Sequence, residues 1–268
     1  MKHDLENICR ELCAVAREAG DFIARNRETF DSSRIEHKGA QNLVSYVDKG
    51  AEELIIKRLK EILPEAKFLA EESSKETLSE NPEGEYLWVI DPLDGTTNFI
   101  HGMPPYCVSL ALMCGSEVVV GVIYEVTRDE CFSTYKGAPV LLNGREVGVS
   151  DVEEVVDSLV ITGVAYTQRG ADNFERAFEY FNRNSNGTRR MGSAAANLAF
   201  VAVGRAECFF QLGLEAWDVA AGVLLVKNGG GVVVDYDGGE NYVFGRSVIA
   251  TNKKSHKKFY SIICDKLF

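Results

Sequence analysis

Leu5, Ile8, Cys9, Leu12, Ala16, Ala19, Phe22 and Ile23 recur at three- and four-residue spacing, so the chain opens on an amphipathic helix. The same periodicity predicts a second helix over 44–62, closed by Pro64. Apolar runs then shorten to strand length: 66–70, 86–90, 106–114, 117–125 and 130–135. Gly115-Ser116 between two of these runs marks an antiparallel hairpin. Residues 136–156, with Gly137, Pro139, Asn143 and Gly144, read as a turn-rich passage that divides the chain into lobes of 1–140 and 141–268. Beyond it the pattern predicts a strand over 157–164 and a helix near 173–184. A Gly192-Ser193 turn starts a helix of small residues over 194–203. A strand at 207–212, a helix at 217–226, strands at 231–235 and 247–251, and a basic terminal helix complete the order. Helices alternating with mixed strands make an α/β sandwich, with no internal repeat.

Composition narrows the function classes. The 268 residues are 46% hydrophobic, enough for a large packed core. A net charge of −11 argues against broad nucleic-acid contact, which needs basic surface. No apolar stretch approaches the roughly 20 residues that span a membrane. Seven cysteines without Cys-x-x-Cys spacing, behind no signal-like start, point to reduced thiols in a cytoplasm. Each reads as a small apolar filler, with Cys9 and Cys13 core-facing one helical turn apart. Lys253, Lys254, Lys257 and Lys258 read as a solvated helix face with Phe259, Ile262 and Ile263 turned inward.

The strongest chemical signal lies at 87–99. An apolar strand ends on Asp91, Pro92 blocks further pairing, and Gly95 permits a tight turn. Asp91 and Asp94 are thereby two carboxylates at one strand end. Such charges repel unless a cation holds them, and all-oxygen ligands favour Mg²⁺, Mn²⁺ or Ca²⁺ over zinc. Thr96 and Thr97 add hydroxyls and N–H groups suited to an anion. Taken alone, Asp-x-x-Asp-Gly is more often an Asx-rich turn. Glu71-Glu72 is more often a solvated turn, and Asp218 a helix cap or first-turn charge. Yet Glu71, Asp91, Asp94 and Asp218 all stand where a strand or turn meets a helix, the usual place for sites in open α/β folds. His37 and His101 lack ligand spacing and read as ordinary polar residues.

Glu71-Glu72-Ser73, the run 88–99 and Trp217-Asp218-Val219-Ala220-Ala221-Gly222 resemble the signatures of the inositol monophosphatase family. Lys38, Asp48 and Gly229-Gly230-Gly231 extend the likeness over nearly the whole chain. The resemblance implies a layered αβαβα sandwich of the inositol monophosphatase and fructose-1,6-bisphosphatase type. The lobe 1–140 would carry most metal ligands, and 141–268 would complete the metal and substrate site. It also implies a lithium-sensitive, homodimeric phosphomonoesterase using two to three Mg²⁺ ions. Glu71, Asp91 and the Leu93 carbonyl would hold the first ion. Asp91, Asp94 and Asp218 would hold the second, and Glu71 with waters a third. Thr96, oriented by Asp48, and Glu71 would position the attacking water. Gly95 and Thr96 N–H groups with Lys38 would receive the phosphate.

The implied substrate is a small phosphorylated polyol approached by Asp94, Gly192, Ser193, Ala194 and Gln211. Inositol 1-phosphate comes first, and Thr96-Thr97-Asn98-Phe99 looks more like the inositol branch than the bisphosphate-nucleotidase branch. Gln211 stands where inositol-cleaving members commonly carry Glu. That keeps fructose 1,6-bisphosphate, histidinol phosphate and NADP(H) open, along with a non-catalytic metal-binding relative. Glu215 occupies a position more often neutral or His, and Asn42 and Ser45 stand where Asp and Thr are frequent. Arg189 and Arg190 suit either a second phosphate or a dimer contact.

Overall fold

In the computed structural model, residues 3–31, 36–37, 43–74, 81–163 and 171–267 are described. Helix α1 (Leu5–Glu28) starts where Asp4 accepts the Asn7 N–H at 3.1 Å, which satisfies one orphan donor of its first turn. Strands β1 (Glu36–His37) and β2 (Leu43–Val44) pair antiparallel, so helix α2 (Tyr46–Ile62) begins two residues later than its periodicity predicts. Ser45 caps α2, and Asp48 reaches back to the Ser45 N–H to close a capping box.

A seven-stranded sheet follows in chain order. Its strands are β3 (Lys67–Ala70), β4 (Tyr86–Asp94), β5 (Cys107–Cys114), β6 (Glu117–Glu125), β7 (Glu130–Tyr135), β8 (Val140–Leu142) and β9 (Arg145–Val147). Only β3 and β4 pair parallel. Two expectations are corrected here. Pro92 does not end the pairing of β4: the register shifts between Asp91 and Asp94, and the ladder resumes at Asp94 opposite Cys107. A bulge takes Pro92 out of the ladder, so its missing N–H costs nothing there. The passage 136–156 is also not all turn, because β8 and β9 extend the sheet to residue 147.

After β4 comes the short helix α3 (Thr96–His101). The second sheet has five strands: β10 (Val160–Thr162), β11 (Thr188–Arg189), β12 (Cys208–Leu212), β13 (Val232–Val234) and β14 (Ser247–Thr251). They lie in the order β11-β10-β12-β14-β13, parallel around β10 and antiparallel around β14. Four helices accompany them: α4 (Ala171–Asn184), α5 (Ala194–Ala202), α6 (Ala216–Asn228) and α7 (His256–Leu267).

Strand parity assigns each face. Trp88 and Ile90 of β4 join the core with α1 and α2, whereas Leu87 and Val89 turn to the core with α5 and α6. Phe209 of β12 meets that same middle core, and its neighbours Cys208 and Phe210 face α4 and α7. The layers therefore run α1/α2, first sheet, α5/α6, second sheet, α4/α7, the αβαβα order that the resemblance implies. A helix covered on both sides has no polar face, and every residue of α5 is buried. Glycines let this middle layer close up: a Cβ on Gly121 would stand 2.8 Å from the Ala221 carbonyl, and one on Gly222 2.4 Å from the Leu198 Cβ. At the terminus Phe259 and Ile263 are fully buried and Ile262 partly so. Lys254 pairs with Asp151 and Glu153, and Lys258 with Glu154. Among the described residues no helix is long and apolar enough to cross a membrane.

Candidate functional site

The bulge in β4 sets two carboxylates at the sheet end, and α6 delivers a third from the middle layer. One oxygen each from Asp91, Asp94 and Asp218 lies within 4.8 Å of the other two. Each carboxylate is held in place by hydrogen bonds from nearby backbone or hydroxyl groups. Asp91 accepts the Leu93 N–H at 3.0 Å, and Asp218 accepts the Glu215 N–H at 2.7 Å. Asp94 Oδ2 accepts from the Ser193 hydroxyl at 2.7 Å and the Ala195 N–H at 2.6 Å. The donors to Asp94 belong to the start of α5, so one short turn fixes a ligand of the opposite layer.

This cluster is electrostatically expensive. Burial first, then the charges of Glu71, Asp94 and Asp218, push the Asp91 carboxyl well above its usual range. Burial, then Asp94 and Glu71, does the same to Asp218. Burial raises Asp94 to about 6 against hydrogen bonding from Ser193 and from the Ala195 and Ala194 backbone. Among the described residues no Lys or Arg pairs with any of the three. A divalent cation is the group that neutralises such a set, and oxygen-only donors suit Mg²⁺, Mn²⁺ or Ca²⁺. Glu71 stands just outside the triplet. Its N–H bonds the Ile90 carbonyl at 3.2 Å across the parallel β3–β4 pair, and its charge acts on Asp91 and Asp218.

Thr96 begins α3 beside the triplet. Its hydroxyl lies 2.8 Å from Asp48 Oδ1 and 3.1 Å from the Leu93 carbonyl. Asp48 is buried, and burial raises its carboxyl despite hydrogen bonds from Ser45 and Thr96. Its second oxygen accepts from the Ser45 N–H at 2.8 Å and the Ser45 hydroxyl at 2.6 Å. The capping box of α2 thus also aims the Thr96 hydroxyl, and Ser45 performs that task without a methyl. Gly95 carries φ of +99°, and a Cβ there would meet the Pro105 carbonyl at 3.0 Å, so only glycine serves. Asn98 donates to the Pro105 carbonyl at 2.8 Å and to the Met191 carbonyl at 2.7 Å, which ties α3 to the Gly192 turn.

A cleft of about 100 Å³ joins Asp94 and Asp218 to Gly192, Ser193, Ala194 and Gln211. Five further residues line it that the motifs did not select as substrate contacts: Gly163, Arg190, Asn197, Gly213 and Leu214. Gln211 lies directly on Gly163, where a Cβ would stand 1.8 Å from its Oε1. Asn197 is 2% exposed, and its Oδ1 has no hydrogen-bond partner among the described residues. A single polar residue within an otherwise apolar α5 was the signal that could have found it. Glu215 pairs with Arg246. Arg189 donates to its neighbour's carbonyl, Thr188, at 3.0 Å. Lys38 and Asn42 lie outside the described residues.

The family model described as "Inositol monophosphatase family" matches residues 4–267. An inositol monophosphatase of Dictyostelium discoideum is 38% identical over 265 residues, which is 98% of this chain and 97% of that one. "Nus factor SuhB" of Escherichia coli K12 is 37% identical over 254 residues, 94% of either chain. The crystal structure of the extragenic suppressor protein suhB from Bartonella henselae superposes with a TM-score of 0.89 at 32% identity, covering 96% of this chain and 98% of that one. The chain belongs to the inositol monophosphatase family.

Proposed function

We propose that this protein is a Mg²⁺-dependent phosphatase that hydrolyses a small polyol monophosphate, inositol 1-phosphate first. The observation that supports it most is the carboxylate triplet with the Thr96–Asp48 pair at its side and a polar cleft opening from it. Mg²⁺ supplies Lewis-acid charge for the phosphoryl oxygens and makes a water more acidic at neutral pH. Asp91, Asp94 and Asp218, with Glu71 and the Leu93 carbonyl, are the residues that hold two to three ions. Thr96 positions the attacking water with Glu71, and Asp48 fixes the direction of its hydroxyl. The N–H groups of Gly95 and Thr96, with Lys38, take the phosphate oxygens. Gly192, Ser193 and Ala194 let the polyol ring approach, and Gln211 offers it one acceptor and one donor. A cytoplasmic, lithium-sensitive homodimer completes the reading.

The test is phosphate release from inositol 1-phosphate, fructose 1,6-bisphosphate, histidinol phosphate and NADP⁺, with and without Mg²⁺. Asp94→Asn removes a contact of several kcal/mol to a Lewis acid, so release should fall at least about 10²-fold. Equal release by the variant would assign the activity to a contaminant. A second reading rests on the relatives named Nus factor SuhB. There the chain holds metal and acts through partners, and calorimetric Mg²⁺ binding without turnover of any substrate would select it.

A further inference from the structure

Three of the seven cysteines meet far from the carboxylates. Cys9 and Cys13 lie one turn apart on the same face of α1, and Cys131 comes from β7 on the side of the sheet that α1 covers. The Cys9 thiol donates to the Thr134 carbonyl at 3.6 Å, and all three cysteines line one cavity together with Arg17 and Ser133. One turn further along α1, Arg17 brings its guanidinium close to both Cys13 and Cys131. Asp129 at 2.5 Å, Asn143 at 2.8 Å and the face of the Tyr124 ring, 5.2 Å away, hold that guanidinium. The group opens on a cavity of about 480 Å³, walled by Tyr135, Pro139 and Leu141.

An inert core cysteine has a different setting. Cys107 and Cys208 are fully buried, and burial above all keeps their thiols protonated. Cys13 is only half-buried and lines the cavity. Hydrogen bonds from Cys131 and Cys9, then Ser133 and the Arg17 charge, draw its thiol well below the ordinary range despite its burial. The Cys9 and Cys131 thiols are pushed up, with hydrogen bonding to Cys13 the first cause and burial the second. A half-buried cysteine on a cavity wall beside a cation, with a second thiol on the facing strand, is a nucleophilic arrangement. It is not a metal cage, since among the described residues only the carboxylates offer three ligand atoms within 4.8 Å of one another.

We propose that Cys13 is a modification site for hydrogen peroxide, with Cys131 as the thiol that resolves the product into a disulfide between α1 and β7. The Cys13 sulfur attacks one peroxide oxygen, the O–O bond breaks, and the departing hydroxide takes a proton to become water. Cys13 is then a sulfenic acid. The Cys131 sulfur next displaces hydroxide from the Cys13 sulfur, and its own proton leaves with that hydroxide as a second water. In total two thiols give two electrons to one peroxide. Cys9 is the poorer resolving partner. Cβ atoms four residues apart on a helix are about 5–6 Å apart, whereas a disulfide needs about 3.5–4.5 Å. Cys131 approaches from another element and is free of that limit. Arg17 lowers the cost of the charge that Cys131 must carry as it attacks.

The reduced protein is pulsed with stoichiometric hydrogen peroxide, alkylated and mapped by mass spectrometry. Cys13 should oxidise about tenfold faster than Cys114 and Cys264, which are as half-buried as it is. An ordinary thiol is only a few per cent ionised at neutral pH, and the weaker basicity of Cys13 returns part of its advantage. The dominant product should be the peptide pair joined through Cys13 and Cys131. In Cys131→Ser, dimedone should label Cys13, and Arg17→Gln should slow its oxidation severalfold. The competition among wild-type cysteines needs no variant to fold. Oxidation of Cys13 no faster than that of Cys114 and Cys264 would overturn the proposal, as would a product joined through Cys9.

Discussion

Gln211 and Gly163 share one small volume, and their identities constrain each other. The amide oxygen of Gln211 fills the space in which any side chain at 163 would begin. Gly163 therefore leaves Gln211 room to lie in the cleft beside Asp94 and Asp218. Gln accepts one hydrogen bond from a polyol hydroxyl but presents an N–H₂ to the next, whereas Glu would accept from both. Charged acceptors make hydrogen bonds worth about 1.5–3 kcal/mol, so one of them is worth about tenfold or more in rate. If the natural substrate is an inositol phosphate, Gln211→Glu should raise kcat/KM for inositol 1-phosphate by about that factor. It should at the same time lower turnover of a substrate that presents an acceptor there. Comparison of kcat/KM across the phosphate panel checks this, and an unchanged ranking would place Gln211 outside the substrate contact. The substrate-facing residues were the least legible part of the site. Gly163 carries no chemistry by itself, and only its approach to Gln211 in space gives it meaning.

At the scale of elements, the start of α5 carries two functions through one hydroxyl. Ser193 accepts the Ala196 N–H as helix cap and donates to Asp94, so it links the middle helix layer to the β4 bulge. Ser193→Ala should lower stability by about 1 kcal/mol through the lost cap. Loss of the bond that orients a metal ligand should also weaken Mg²⁺ binding about tenfold or more. Thermal unfolding in chelator separates the first effect, and calorimetric Mg²⁺ titration the second. An unchanged Mg²⁺ affinity would reduce Ser193 to a cap. Helix periods and strand parity made most elements legible in the sequence, including the terminal helix with Phe259 and Ile263 inward. The misses share a cause. Pro92, Gly137, Pro139, Asn143 and Gly144 carry turn signals, and such signals mark a break without saying whether pairing resumes beyond it. In β4 it resumes after a bulge, and in 136–156 it resumes twice.

Across the whole molecule the carboxylate cluster is a long-range product. Asp91 and Asp94 end a strand of the first sheet, Asp218 begins a helix of the middle layer, and more than a hundred residues separate them. The motif resemblance made these acids legible as one site. Layer order was legible only through the same resemblance, because strand parity names two faces without saying which helix covers each. The cost of assembling the cluster yields a prediction with a definite sign. Asp91, Asp94 and Asp218 all titrate above the usual carboxyl range in the folded chain, Asp94 at about 6. Between the unfolded value near 4 and these raised values the folded state holds more protons than the unfolded chain. The stability this contributes is fully present below the unfolded value and is lost as pH rises through the folded ones. For partly exposed Asp94 the loss is of order 2 kcal/mol after allowance for solvent screening. Mg²⁺ displaces those protons and cancels the repulsion, so its benefit must grow as pH rises. The gap between melting temperatures in Mg²⁺ and in chelator should therefore widen from about pH 5 to about pH 7.5. Other carboxylates titrate alike in both conditions and drop out of that difference. Asp94→Asn, which removes one of the repelling charges, should raise the melting temperature in chelator at the higher pH and shrink the gap. A gap independent of pH would mean that the three carboxylates are not where the metal binds.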